Sequence, residues 1–251
     1  MRMKKLRLPL VALFALLSAN TFAQQQTVDT AKQRKQFEEL MKQDWACLKC
    51  FQEENTKVAP PKAGEQRIVF MGNSITIGWK NAHPEFFEGK PYINRGISGQ
   101  TTSQMLIRFR PDVINLKPKV VVILAGTNDI AGNTGYTPVE TIFGNIVSMT
   151  ELAKANGIKV ILSTVLPVYE YPWRKGMGID AVGKIADLNQ RLKDYAAKNN
   201  CVYLDYFSAM EDDKKGLKAE LTYDGVHPNK AGYLVMEPLV EKAIATALKK
   251  K

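Results

Sequence analysis

Short apolar runs recur along the chain at residues 67–71, 120–125, 160–164 and 201–205, with a weaker one at 92–95. Each is of strand length and rich in β-branched or aromatic residues. Apolar positions at helical spacing separate them. Thr137, Pro138, Val139 and Glu140 make a capping-box arrangement with proline at the first helical position. The helix they open carries Ile142, Ile146 and Met149 on one face, and Gly157 is placed to end it as a C′ residue. Val182, Ile185, Leu188, Leu192 and Tyr195 mark a second helix, and residues 233–248 a last one. Buried strands alternating with helices predict βαβ units: an α/β fold whose central parallel sheet is covered on both faces. In such sheets, function collects in the loops beyond the carboxyl ends of the strands.

The N-terminal part reads differently. Residues 1–23 carry Arg2, Lys4, Lys5 and Arg7, then an apolar run from Leu8 to Leu17, then Thr21, Phe22 and Ala23. Basic start, short apolar stretch and small residues at the end are the pattern of a secretory signal cleaved near Ala23. Ten apolar residues are too few to span a bilayer as a helix, so no stable membrane insertion is expected. Residues 24–62 read as a helical extension and linker. Phe37, Leu40, Met41, Trp45 and Leu48 fall at three- and four-residue steps, as in a helix running from Ala31 to about Lys57 and packed on the main body, and Pro60 and Pro61 break it. The main domain is expected over residues 63–251.

Composition narrows the chemistry. With 45% hydrophobic residues in 251, the chain can bury a core, which excludes a disordered or disulfide-scaffold protein. Its only histidines, His83 and His227, and its three cysteines are too few for multi-histidine or four-cysteine metal sites. The formal net charge of +10 falls to +6 once residues 1–23 and their four basic side chains are removed. The remaining cations are interleaved with acids, so no nucleic-acid partner is expected. Export favours oxidised cysteines. Cys47 and Cys50 follow no strand and read as a local disulfide or two incidental thiols rather than a redox site, and Cys201 as core.

Four loops stand at predicted strand ends. Gly72, Asn73 and Ser74 follow the first strand, residues 95–102 the second, and Gly126, Thr127, Asn128 and Asp129 the third. Asp224, Gly225, Val226, His227 and Pro228 precede the final helix. A serine at a strand-to-helix turn lies near helix N-terminal amides that favour a developing anion. It needs a base, and His227 is the candidate, with Asp224 three residues earlier to fix the imidazole tautomer. The backbone N–H of Ser74, that of Gly99 and the amide of Asn128 form a plausible oxyanion hole. Taken singly, each loop has a plain structural explanation: serine is a common helix N-cap, and Asp-Gly is a common turn. Four in order are harder to explain that way. His83 has no acid just before it and is expected on a surface loop. The sequence lacks the G-x-S-x-G elbow of α/β-hydrolases, the G-x-G-x-x-G of dinucleotide sites and a P-loop.

Together these blocks resemble the SGNH/GDSL hydrolase family over residues 67–248. The resemblance implies a flavodoxin-like three-layer α/β/α sandwich, Ser74 as nucleophile, Gly99 and Asn128 as oxyanion donors, His227 as base, Asp224 as its orienting acid, and no cofactor. The surrounding text is similar to secreted bacterial relatives of platelet-activating-factor acetylhydrolase. One departure is Asn73, where the family usually has aspartate. The expected activity is a serine esterase removing short acyl groups, acetyl above all, from a small-molecule or glycan ester. Asn73 and the aromatic loop residues Tyr169, Tyr171 and Trp173 are its expected substrate contacts, the alternative for the three aromatics being that they simply pack their long loop. A broad aryl-ester or lysophospholipid esterase is the enzymatic alternative, and a non-catalytic glycan-binding protein the alternative from another class.

Overall fold

The computed structural model describes residues 30–250, so the expected signal segment lies outside the described residues. The chain divides into two units, the second beginning at Trp45. In the first, residues 30–42 form helix α1, with an exposed Arg34–Glu38 ion pair one turn apart. Phe37, Leu40 and Met41 are exposed. The single helix expected as far as Lys57 is instead two. Between them Cys47 takes a left-handed backbone (φ 56°) and is disulfide-bonded to Cys50, closing a tight turn. A short helix α2 (Gln52–Lys57) follows. The second unit starts at Trp45 and so includes α2 and the two prolines after it.

The second unit is built on a five-stranded, all-parallel sheet: β1 (Ile68–Gly72), β2 (Tyr92–Gly96), β3 (Val120–Leu124), β4 (Lys159–Ser163) and β5 (Val202–Leu204). The strand order is β2-β1-β3-β4-β5, the flavodoxin-like arrangement. Helices α3 (Ser74–Ala82) and α9 (Lys230–Lys249) lie on one face; α4 (Thr102–Asp112), α6 (Val139–Ala155) and α7 (Ala181–Lys198) lie on the other. Short helices α5 (Thr127–Ile130) and α8 (Phe207–Met210) complete the connections.

The alternation of side chains along each strand explains the two cores. Val69, Met71, Val121, Ile123, Val160 and Leu162 pack with Phe109, Ile146 and Leu188. Their neighbours Ile68, Phe70, Val120, Val122 and Ile161 pack with Trp79, Tyr233, Met236 and Val240. A strand hydrophobic at every position is thus apolar on both sides because both sides are covered. Helix α6 differs slightly from expectation. Its N-cap is Pro138, whose carbonyl accepts from Thr141 and Ile142, and no side chain caps it. Gly157, at φ 71°, ends it as expected.

Register decides where the loops emerge. Gly72, the last residue of β1, pairs with Gly96 of β2 on one side and Leu124 of β3 on the other. The three carboxyl ends are therefore level, and the crossovers leave β1 in opposite directions, which opens a crevice at this edge. Among the described residues no helix is long and apolar enough to cross a membrane.

Candidate active site

Ser74 is the first residue of α3, and Asn73 is its N-cap. The Asn73 side-chain oxygen accepts from the Ile75 N–H at 3.0 Å, and its carbonyl accepts from Thr76 and Ile77. At the first helical position the Ser74 N–H has no acceptor one turn back, so it is free to serve a ligand. The turn sits tightly on β2. A Cβ at Gly96 would stand 2.8 Å from the Asn73 carbonyl oxygen and 2.3 Å from the Ile77 nitrogen, so only glycine fits.

His227 reaches this serine from 153 residues away, its Nε2 lying 2.9 Å from Ser74 Oγ. Its Nδ1 lies 2.8 Å from Asp224 Oδ2. The other Asp224 oxygen accepts the backbone N–H groups of Val226 (2.9 Å) and His227 (2.8 Å), so one short turn holds acid and imidazole together. Thr222 closes that turn by donating to the His227 carbonyl at 2.8 Å. Partial burial opposes ionisation of Asp224, but hydrogen bonds from the His227 backbone, the imidazole and Val226 outweigh it and hold the carboxyl below its ordinary value. Only the tautomer with its proton on Nδ1 satisfies Asp224, and it leaves Nε2 free to accept from the serine. Trp173, exposed, lies against the histidine with ring centres 6.0 Å apart.

The loops after β2 and β3 are joined to each other. Gly99 has φ 75°, a left-handed conformation suited to glycine, although a Cβ there would meet nothing within 4 Å. The Asn128 amide donates one hydrogen to the Gln100 carbonyl at 2.9 Å, which fixes the plane in which its second hydrogen points. Asn133 donates to the Gly99 carbonyl at 3.2 Å.

Asp129, next to Asn128, is buried and accepts from the Thr102 N–H (3.0 Å) and hydroxyl (2.6 Å). It thereby fastens the β3 loop to the start of α4. Burial pushes its pKa up to about 6, against the lowering effect of Thr102. An acid whose folded pKa exceeds its unfolded one loses stability as pH rises through the interval between them. From pH about 4 to 6 this group is expected to subtract about 1.4 kcal/mol of folding stability per pH unit. Urea melts across that range should fall less steeply for Asp129→Asn than for wild type; parallel pH dependences would refute the assignment.

Other expected contacts fall elsewhere. Tyr171 is buried, and its hydroxyl bonds Thr127 at 2.9 Å, so it is a core residue and not a substrate contact. Asn73 is fully buried as a helix cap. Tyr169 is exposed on the same loop as Trp173. His83 is no loose surface residue: it caps α3, with Nδ1 hydrogen-bonded to Glu237 on α9. Sequence reasoning overlooked Asp129, Gln100 and the fully buried Arg108. A charged residue at a helical core position was the available signal for Arg108. Among the described residues no group of three or more histidine, cysteine or acidic side chains is arranged to hold a metal.

Known proteins match this architecture. The profile of the GDSL-like lipase/acylhydrolase family matches residues 70–235. The chain belongs to this family. Its fold superposes on a GDSL-like lipase from Bacteroides thetaiotaomicron with a TM-score of 0.79 and 51% identity, covering 81% of this chain and 100% of that one. An acetylxylan esterase of Geobacillus stearothermophilus is 29% identical over 213 residues, covering 68% of this chain and 90% of the esterase. The lipoprotein YqeF of Bacillus subtilis is 41% identical over 124 residues, 43% of this chain. That match spans about half of YqeF, 51% of its length.

Proposed function

We propose that this GDSL-family chain is an exported serine esterase that removes short acyl groups, acetyl in particular, from carbohydrate. The observation that carries the reading is the unbroken hydrogen-bonded series Ser74, His227, Asp224. Ser74 Oγ attacks the ester carbonyl as His227 Nε2 takes its proton. The carbonyl oxygen gains negative charge and is met by the Ser74 and Gly99 N–H groups and the Asn128 amide. The imidazolium, held by the Asp224 carboxylate, then gives the proton to the departing alcohol, leaving an acyl-serine. Water enters, His227 takes its proton, and the second tetrahedral species collapses to release the acid as His227 returns that proton to Ser74 Oγ.

Two features favour a short acyl group on a sugar. Trp173, beside the imidazole that serves the leaving alcohol, offers a flat apolar face of the kind on which sugar rings stack. The acetylxylan esterase relative acts in this chemistry, by its name. Export rests on the basic and apolar pattern of residues 1–23 and agrees with a lipoprotein among the relatives.

The test compares p-nitrophenyl acetate, butyrate and palmitate and acetylated xylo-oligosaccharides, together with a fluorophosphonate probe. Turnover is expected to be fastest on acetate and to fall with chain length, with the probe on Ser74 and acetate released from the oligosaccharide. Preference for palmitate overturns the short-acyl reading, and folded protein that neither reacts nor takes the probe overturns the esterase.

A further inference from the structure

We infer that residues 45–57, the first segment of the compact unit, position the oxyanion hole of this enzyme through Gln100; the inference rests on the esterase reading above. Gln100 is buried, and its backbone and side-chain polar groups are all hydrogen-bonded. Its carbonyl accepts from the Asn128 amide at 2.9 Å. Its side-chain N–H donates to the Ala46 carbonyl at 2.8 Å, and its side-chain oxygen accepts from Arg108 Nε. The peptide that orients Asn128 is therefore anchored by a side chain tied to the N-terminal segment.

Arg108 extends the same frame to the nucleophile. Fully buried, it donates to the Gly72 carbonyl at 2.9 Å, at the end of the strand that leads into Ser74, and to Asp112 at 3.0 Å. One guanidinium thus fixes the loops after β1 and β2 relative to each other.

The N-terminal segment is pinned at both ends. At one end, besides the Ala46 contact, Gln104 on α4 donates to the Trp45 carbonyl at 2.6 Å and accepts from the Thr101 N–H at 3.0 Å. At the other, Asn55 donates to Asp112 at 2.7 Å and accepts from Arg95 at 2.8 and 3.0 Å. Arg95 lies over the Phe51 ring, 4.6 Å from its centre. The Cys47–Cys50 disulfide closes the stretch between these two anchorages. A Gln100 released from Ala46 lets its peptide rotate. Rotation moves the Asn128 amide, and with it the adjoining Gly99, away from the place where the oxyanion forms.

Asn128 and Gly99 contact the reacting atoms; Gln100 acts through them and is a positioning residue. A change of position of about 1 Å in such a group lowers catalysis up to about a hundredfold without touching ground-state binding. The experiment makes Gln100→Leu and the double variant Cys47→Ser/Cys50→Ser in the full chain. It measures kcat and KM for p-nitrophenyl acetate and the affinity of a trifluoromethyl ketone, whose serine adduct carries the oxyanion. For Gln100→Leu, kcat is expected to fall about ten- to a hundredfold with KM within about twofold, and ketone affinity to fall with kcat/KM. The double cysteine variant, which leaves every group at Ser74 in place, should lose at least about fivefold in kcat by the same route. It decides the matter where Gln100→Leu does not fold. An active wild type whose folded variants keep full kcat, or change only in KM, overturns this inference alone. A wild type without Ser74-dependent turnover overturns the esterase reading and this inference together.

Discussion

Replacing Ser74 with alanine is expected to lower kcat on p-nitrophenyl acetate by about 10⁴- to 10⁶-fold, the largest effect of any single substitution in this protein. The substitution removes the oxygen to which His227 Nε2 is hydrogen-bonded, and no other hydroxyl is hydrogen-bonded to that nitrogen among the described residues. The residual rate is what the oxyanion donors and binding give an attacking water. The fold should be unaffected. Ser74 is partly exposed, the N-cap that starts α3 is Asn73, and the serine hydroxyl makes no other hydrogen bond among the described residues. Identical thermal melts combined with lost turnover are the expected pair of results; a variant that folds and hydrolyses ester at the wild-type rate ends the assignment of Ser74.

The second large effect is expected from Asp224→Asn, about 10⁴-fold in kcat. Asparagine has nearly the same shape, and its oxygen can still accept from the Val226 and His227 backbone, so the turn should persist. Its amide, however, offers hydrogens to Nδ1 where the carboxylate accepted one. The imidazole responds by placing its proton on Nε2, where it can no longer accept from Ser74. The loss should lie in kcat with KM little changed. The ionised carboxylate also has a pH signature. Its folded pKa is lowered, so its contribution to stability is present above the ordinary aspartate value of about 4 and is lost as pH falls through the folded value. Wild type should therefore lose stability toward low pH faster than Asp224→Asn. A variant retaining most of its kcat near neutral pH would show that the tautomer is fixed by something other than Asp224.

Much of this arrangement was legible before any coordinates. The strands were readable because a sheet covered on both faces makes apolar runs such as Val120, Val121, Val122 and Ile123 unbroken. The grouping of Ser74, His227 and Asp224 was readable because the proposed hydrolysis calls for those residue types, and because Asp224 and His227 are close in sequence. What escaped was whatever depends on partners far apart. Tyr171 resembled a loop aromatic until its hydroxyl met Thr127, 44 residues earlier. Asp129 seemed ordinary loop composition, because its worth lies in Thr102 on another crossover. The N-terminal stretch misled for a local reason: helix formers filled it, but the chain between α1 and α2 takes a left-handed turn at Cys47, inside a closed cysteine loop.

The unequal spacing within the Ser74–His227–Asp224 series has a consequence for folding. Asp224 and His227 are three residues apart, so their pairing closes a very small loop and asks little of the rest of the chain. Ser74 and His227 are 153 residues apart, and only α9 seated on the completed sheet brings them together. Contacts of such long range form late, after loop-closure entropy has been met by the intervening structure. Hydrolysis therefore reports the completion of the whole sheet rather than the formation of any one element. The chain carries within itself an assay for its own native state.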